Sequence, residues 1–417
     1  MSSGPGRTRS SADAPRRAGG AGPLLVLAAC LIALLGALWP PSFHLTDHVI
    51  FWNVGRLYAT GGSPYDPAVW PAALATYDNV NVRLIIGLGG ALWPYPPWTG
   101  YLFVPFGLVP LEAGLWALHL SYLAVGVAAG LAIVRALPWR DRRGETIALL
   151  LVPTFQPFVY AERLGHFDSF LLAGVALATA GVLRRSPLAL VAGALLLFTK
   201  PQVVPLFALA VTTLLVRDRR WRDIALASGA LATFAAATTV LHPEGVAVAV
   251  GGGISRLSLI APDSINPVPN VWALALAVAG AGGPVLAVAL LLSASWACVA
   301  AVRWSPIPLR DRTILAASLI LSVAVTPYVF SYDHLVLVPA AALVVAAADA
   351  LPAPLRGARL ALAVTVVTVL PWLLYFAGVA GGDHVLSALV PLSFAGLLAL
   401  SMAALRSRPD PAAAFAA

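Results

Sequence analysis

Three short polar stretches, set among long apolar runs, carry the residue types that acid–base and phosphate chemistry need. The first reads Thr46-Asp47-His48-Val49-Ile50-Phe51-Trp52-Asn53-Val54-Gly55-Arg56-Leu57-Tyr58. Phe51, Val54, Leu57 and Tyr58 recur at helical spacing, so the segment reads as a short amphipathic helix lying at an interface, with Asp47 at its start. An Asp there has a plain structural use as an N-cap that accepts backbone N–H bonds. It has a chemical use as well, because a partly buried carboxylate is tuned toward the operating pH and can take a proton from an attacking hydroxyl. We expect Asp47 to serve as a general base. Asp66, in Gly62-Ser63-Pro64-Tyr65-Asp66-Pro67, is its reserve, although turn chemistry also accounts for an Asp between Tyr and Pro. His48 and Tyr65 are further candidate substrate contacts, whereas Asp78 reads as a loop charge.

The second stretch holds Glu162, Arg163, His166 and Asp168 between two apolar helices. A solvated loop would account for it, yet so short a connection needs few charges, and His166 and Asp168 are suited to sugar hydroxyls. Lys200 is the only lysine among 26 Lys and Arg residues. A charge in an apolar span costs at least about 3 kcal/mol on insertion scales, so Lys200 is either a snorkelling residue at a helix end or a functional cation, such as a point charge near a phosphate. The third stretch, Tyr332-Asp333-His334, offers an imidazole whose ordinary pKa lies near neutrality, able to bind or protonate a phosphate while Asp333 orients it. A structural histidine is the plainer alternative. Arg256, in a loop with Pro262, Asp263, Asn266 and Asn270, is one more candidate phosphate ligand.

The elements that must position these residues are membrane helices. With 60% hydrophobic residues, 11% charged residues and a mean hydropathy of +0.87, the chain has too little polar surface to cover a soluble core. The net charge of +8 does not point to nucleic acid, because the basic residues form short clusters between apolar spans. Cys30 and Cys298 both lie in apolar stretches and are expected to be free thiols. Arginines gather at 7–17, 135–143, 184–185, 217–222, 303–312, 356–359 and 406–408. The positive-inside rule makes these cytoplasmic, which predicts spans at about 23–39, 113–134, 145–160, 168–183, 187–199, 203–216, 224–241, 283–302, 313–329, 335–349, 359–376 and 385–405. The expectation is a polytopic all-α bundle of about 12 transmembrane helices with both termini cytoplasmic. Residues 1–22 form a disordered tail, 23–405 the membrane domain and 406–417 a second tail. Segments 97–110 and 271–281 are too short to span and read as re-entrant or in-plane pieces. This parity puts the loop 40–96, the turn 162–168, the stretch 242–270, the turn 328–334 and Lys200 on the extracytoplasmic side.

Asp47 with its aromatic run, Gly62-Ser63-Pro64-Tyr65-Asp66-Pro67, Tyr95-Pro96-Pro97, Gly165-His166-Phe167-Asp168, Lys200-Pro201 and Tyr332-Asp333-His334-Leu335 occur in an order that resembles family 87 glycosyltransferases. The likeness runs from about residue 23 to 350, and departs where Gly165-His166-Phe167-Asp168 stands for an expected Gly-Gln-x-Asn. The resemblance implies a GT-C fold in a bacterial plasma membrane. It also implies a polyprenyl-phosphate sugar as donor, as in actinobacterial alpha-mannosyltransferases, a cell-envelope glycolipid or glycan as acceptor, and Asp47 as catalytic base. No metal-bound DxD pattern stands out, which fits a lipid-phosphate donor and no cofactor. An arabinofuranosyltransferase, a secondary transporter or flippase with discontinuous helices, and a catalytically inactive scaffold are the other readings.

Overall fold

A computed structural model of the protein describes residues 42–80, 82–83, 93–140, 142–255, 275, 278–304, 310–326, 329–351, 353–377 and 385–406. The expected first span 23–39, both tails apart from Arg406, most of segment 271–281, and Arg256 with its loop lie outside the described residues. Those described form helices and turns, with no strand among them.

Among the described residues, six helices are long and apolar enough to cross a membrane: Leu111–Arg135, Trp221–Leu241, Val285–Arg303, Ser331–Asp349, Leu355–Ala377 and Leu386–Arg406. Each coincides with an expected span. Other expected spans that fall on described residues are helices too short to cross a core of about 30 Å unaided. Asp168–Leu183, Pro187–Leu197 and Pro205–Arg217 have 16, 11 and 13 residues, or about 24, 17 and 20 Å at 1.5 Å per residue, against a hydrocarbon core of about 30 Å. The expected span 145–160 is two helices, Arg142–Thr154 and Gln156–Leu164, broken at the extended residue Phe155. Pro153 and Pro157 bracket the break, and each removes a backbone donor that a continuous helix would use. The protein is thus a polytopic helical membrane protein with six helices of spanning length among the described residues.

In chain order, the helices used below are α1 (His48–Ala59), α2 (Leu111–Arg135), α3 (Arg142–Thr154), α4 (Gln156–Leu164), α5 (Asp168–Leu183), α6 (Pro187–Leu197), α7 (Pro205–Arg217), α8 (Arg310–Val325), α9 (Val338–Asp349) and α10 (Ala353–Val364). The turns between α4 and α5, between α6 and α7, and ahead of α9 bring Gly165–Phe167, Lys200 and Asp333 together. α9 is buried at every residue but Pro339. A large aliphatic core surrounds it, built from Leu171, Leu172, Phe207, Leu319 and Leu343 among others. The start of α7 has no turn of its own to satisfy its amides. Ser322 of α8 supplies the acceptor, its hydroxyl oxygen taking N–H bonds from Leu206 and Phe207 at 2.9 and 3.1 Å.

A second core, mainly aromatic, lies beneath the first loop and contains Phe51, Trp52, Tyr65, Trp70, Trp93, Phe103, Tyr122 and Phe167. α1 rests here on segment 97–107, which forms three one-turn pieces (Pro97–Gly100, Tyr101–Phe103 and Val104–Gly107), as expected of a piece too short to span. The two backbones nearly touch. A Cβ on Gly55 would run into the Phe103 carbonyl, and one on Gly107 into the Gly55–Arg56 backbone. Gly107→Val therefore has no space to relax into, and overpacking should cost about 1–3 kcal/mol. Thermal unfolding of the detergent-solubilised protein checks this, and an unchanged midpoint would contradict the close approach.

Candidate functional site

The site begins with the end of α4. Gly165 closes that helix in the left-handed region, at φ +79° and ψ 32°, which glycine adopts without strain. It also has a neighbour that permits no side chain, because a Cβ there would strike the imidazole of His48. The chain turns sharply, and His166, Phe167 and Asp168 project into the interior at the head of α5. All three are buried.

Lys200 meets them from the turn between α6 and α7. Its ammonium donates to Asp168 Oδ1 at 3.0 Å and, through a short contact, to Asp333 Oδ1. Asp333 accepts the Phe330 N–H on its other oxygen at 2.7 Å, which fixes the carboxylate in the 3-10 turn before α9. Lys200 also faces the rings of Tyr332 and Phe167, at 4.8 and 5.4 Å from their centroids, so both charge and quadrupole hold it. Its own turn is tied to segment 97–100: Trp98 Nε1 donates to the Phe198 carbonyl at 2.7 Å and Thr99 Oγ1 to the Thr199 carbonyl at 2.9 Å. Burial by itself would lower the Lys200 pKa, but Asp168 and Asp333 outweigh it and raise the value above that of a free lysine.

His166 bridges this cluster to the first loop. Its Nδ1 lies 2.7 Å from Asp168 Oδ2, and its Nε2 lies 3.2 Å from the Tyr95 hydroxyl. A neutral ring satisfies both contacts, with Nδ1–H donating to the carboxylate and Nε2 accepting from Tyr95. Burial pushes its pKa well below that of a free imidazole, with Lys200 adding to the shift. In this state Nδ1 has no lone pair for Lys200, 3.4 Å away, so Asp168 holds both donors. Tyr332 stacks on the imidazole at 4.2 Å, and Phe51 of α1 meets its face edge-on at 5.5 Å. Tyr65 donates to the Tyr95 carbonyl at 2.6 Å and thus holds Tyr95 from behind.

Asp47 sits at the rim. Its backbone N–H donates to the Leu164 carbonyl at 2.8 Å, which docks the start of α1 onto the end of α4. Its neighbours Thr46 and His48 are buried, whereas Asp47 itself is partly exposed. Its side chain makes no capping bond to α1, so the N-cap role is not the use this fold makes of it. His48 Nδ1 pairs with Thr46 Oγ1 at 2.9 Å, and its ring stacks on Tyr122 of α2. Burial brings its pKa down to about 3, with His119 adding to the shift.

Behind this rim lies a set of polar atoms, two of whose residues, His119 and Tyr122, sequence reading missed. His48 Nε2, both nitrogens of His119, the Tyr122 hydroxyl and Glu162 Oε2 are buried without a hydrogen-bond partner. Glu162 Oε1 accepts from Ser169 Oγ at 2.8 Å, while burial pushes its pKa up to about 8. His119 and Tyr122, three apart on an apolar helix and so on one face, carry a signal that could have revealed them. Tyr95 and Tyr332 had appeared only as parts of motifs.

The remaining candidates stand elsewhere. Asp66 Oδ1 accepts N–H bonds from Ala68 and Val69 at 2.8 and 3.3 Å, a local turn. Asp78 pairs with Arg83 on the surface, and Arg163 is exposed. His334 is buried with its Nε2 unpartnered. Cys298 is a buried free thiol. No three His, Cys, Asp or Glu side chains among the described residues are grouped to hold a metal ion.

A model of glycosyltransferase family 87 matches residues 93–331. The chain belongs to that family. No curated protein and no solved structure matches it. The matched segment of this family 87 glycosyltransferase contains Tyr95, His166, Asp168 and Lys200; Asp47 and His48 precede it, and Asp333 and His334 follow it.

Two outcomes test the geometry. Lys200→Met leaves Asp168 and Asp333 facing each other without their cation. It should cost about 3–5 kcal/mol, part of which Lys200→Met/Asp168→Asn/Asp333→Asn recovers. Equal unfolding midpoints for the single and triple variants would contradict this. In the fold His48 stays neutral down to about pH 3, whereas in the unfolded chain it titrates near 6.5. Between those values the unfolded chain binds the extra proton, so stability falls as pH drops, by about 1.4 kcal/mol per unit. His48→Gln should remove that share of the slope in denaturant titrations run at successive pH values.

Proposed function

We propose that this family 87 glycosyltransferase transfers a hexose, mannose in the first instance, from a polyprenyl-phosphate donor to a cell-envelope glycolipid or glycan acceptor. The reaction takes place on the extracytoplasmic face of a bacterial plasma membrane, and the bundle has the GT-C form with about twelve crossings. The observation that carries this reading is the position of Asp47. It is a partly exposed carboxylate, not engaged as a cap, anchored at the mouth of a buried polar cluster. A general base must reach both the cluster and an incoming hydroxyl, and a rim position meets both requirements.

In this mechanism Asp47 takes the proton of the acceptor hydroxyl as its oxygen attacks the anomeric carbon. The bond from that carbon to the phosphate oxygen breaks, and the electron pair leaves on the lipid phosphate. A single displacement inverts the anomeric centre, so a beta-linked donor yields an alpha-linked product. Lys200 enters differently from the sequence expectation. Its ammonium is already paired with the Asp168 and Asp333 carboxylates and faces no open phosphate position between them. Lys200 therefore acts as a positioning residue that fixes Asp168, and through Asp168 fixes His166. His48, Tyr65, His166 and Asp168 shape the pocket for sugar hydroxyls. His334 and Arg256 are the groups assigned to the leaving phosphate.

Asp47→Asn keeps the shape and removes the base, and should lower transfer by about 10²–10⁴-fold. The assay uses membranes and a radiolabelled polyprenyl-phosphate mannose, with polyprenyl-phosphate arabinose as a second donor. Undiminished transfer by the variant rules out Asp47. Transfer from the arabinose donor alone keeps the base but reassigns the sugar.

A further inference from the structure

We propose a second binding site, for the headgroup of an anionic phospholipid, at the far end of the bundle from Asp47. α9 leads away from the Lys200 cluster and ends at Asp349, some 16 residues or about 24 Å beyond Asp333. There the starts of α3 and α10 come together, although more than 200 residues separate them in sequence. Between them lies a cavity of about 350 Å³ lined by Arg143, Ile147, Asp349, Arg356, Gly357, Leu360, Ala361 and Val364.

The floor is a built arrangement. Asp349 is buried, and its Oδ2 accepts the Arg140 N–H at 3.1 Å. Its Oδ1 lies 4.0 Å from Arg356 Nη1. Gly144 packs so tightly on this carboxylate that no side chain would fit there. Arg140 also reaches the Leu351 carbonyl at 2.9 Å, closing the end of the cavity. The buried Asp349 thus holds the two helix starts in register. Arg143 and Arg356 line the cavity beside Asp349, and Arg142, Glu145 and Arg359 stand on the same two helix starts.

The wall explains which ligand fits. One turn deeper, the lining changes from arginine to Ile147, Leu360, Ala361 and Val364. A free phosphate has no use for that surface. An amphiphile does, since its phosphate meets the guanidinium groups while its first methylenes lie along α3 and α10. Basic pockets of this composition between membrane helices suit anionic headgroups. The same arginine clusters that read as topology signals in the sequence therefore form one side of a lipid site.

The test uses the full chain, purified in detergent and examined by native mass spectrometry with dioleoylphosphatidylglycerol, dioleoylphosphatidylcholine or inorganic phosphate added. The wild type should retain one phosphatidylglycerol about tenfold more readily than phosphatidylcholine. Excess inorganic phosphate should not displace it. Arg143→Gln/Arg356→Gln should lose the preference. Gly357→Phe should lose it through volume alone, and because a Cβ at Gly357 meets nothing within 4 Å, that variant has room to fold. Equal retention of the two lipids by the wild type overturns the site whatever the variants do. Phosphatidylglycerol retained by both variants overturns it too, and displacement by inorganic phosphate overturns the lipid assignment in favour of a free anion.

Discussion

One buried ammonium, shared between two carboxylates from distant parts of the chain, is the constraint on which the rest of this site depends. Removing a lysine and two aspartates from water is costly, and only close pairing with further hydrogen bonds offsets that cost. The structure supplies both. Asp333 is fixed by the Phe330 amide, Asp168 by the His166 ring, and the lysine turn by Trp98 and Thr99. These groups and their supports come from segments 97–100, 165–168, 198–200 and 330–333, so the ion cluster holds four segments of helix and turn to one point. The first loop docks on that point through aromatic packing, the Asp47 amide and the Tyr95–His166 contact.

This arrangement separates rigidity from reactivity. The groups with the strongest mutual interactions, Lys200, Asp168, Asp333 and His166, are buried and satisfied by one another. Asp47 stands beside them, partly exposed. Between the two lie His48, His119, Tyr122 and Glu162, which hold polar atoms without protein partners. An unpaired buried polar group costs about 1–3 kcal/mol, so their grouping behind the rim is a local expense against stability of the kind found where a protein handles a polar substrate.

Much of this was legible in the sequence. Composition required a membrane bundle, and a lone lysine in an apolar context required a reason for its presence. The order of the polar motifs pointed to family 87, which the match over residues 93–331 bears out. Other features were hidden for physical reasons. Lys200 pairs with Asp333 across 133 residues, and no local pattern encodes so distant a pairing. The sequence therefore showed the cation but not its pairing with the two carboxylates. Among the described residues six of the expected spans are helices of full spanning length, and several others are shorter, because the positive-inside rule counts sides of the membrane and not helix lengths. Pro153 and Pro157 were visible signals of the break between α3 and α4. Asp47 read as base or cap, and its side-chain geometry removes only the cap.

Because Lys200 is the only lysine, labelling the chain with [ε-15N]lysine yields one side-chain resonance that reports the central ion cluster directly. The account predicts an ammonium that exchanges slowly with solvent and stays protonated at pH values where a free lysine, near 10.4, has lost its proton. It also predicts that Asp333→Asn brings that titration down. A resonance that titrates at or below the free value and exchanges freely would contradict the pairing of Lys200 with Asp168 and Asp333, and with it the organisation of the site.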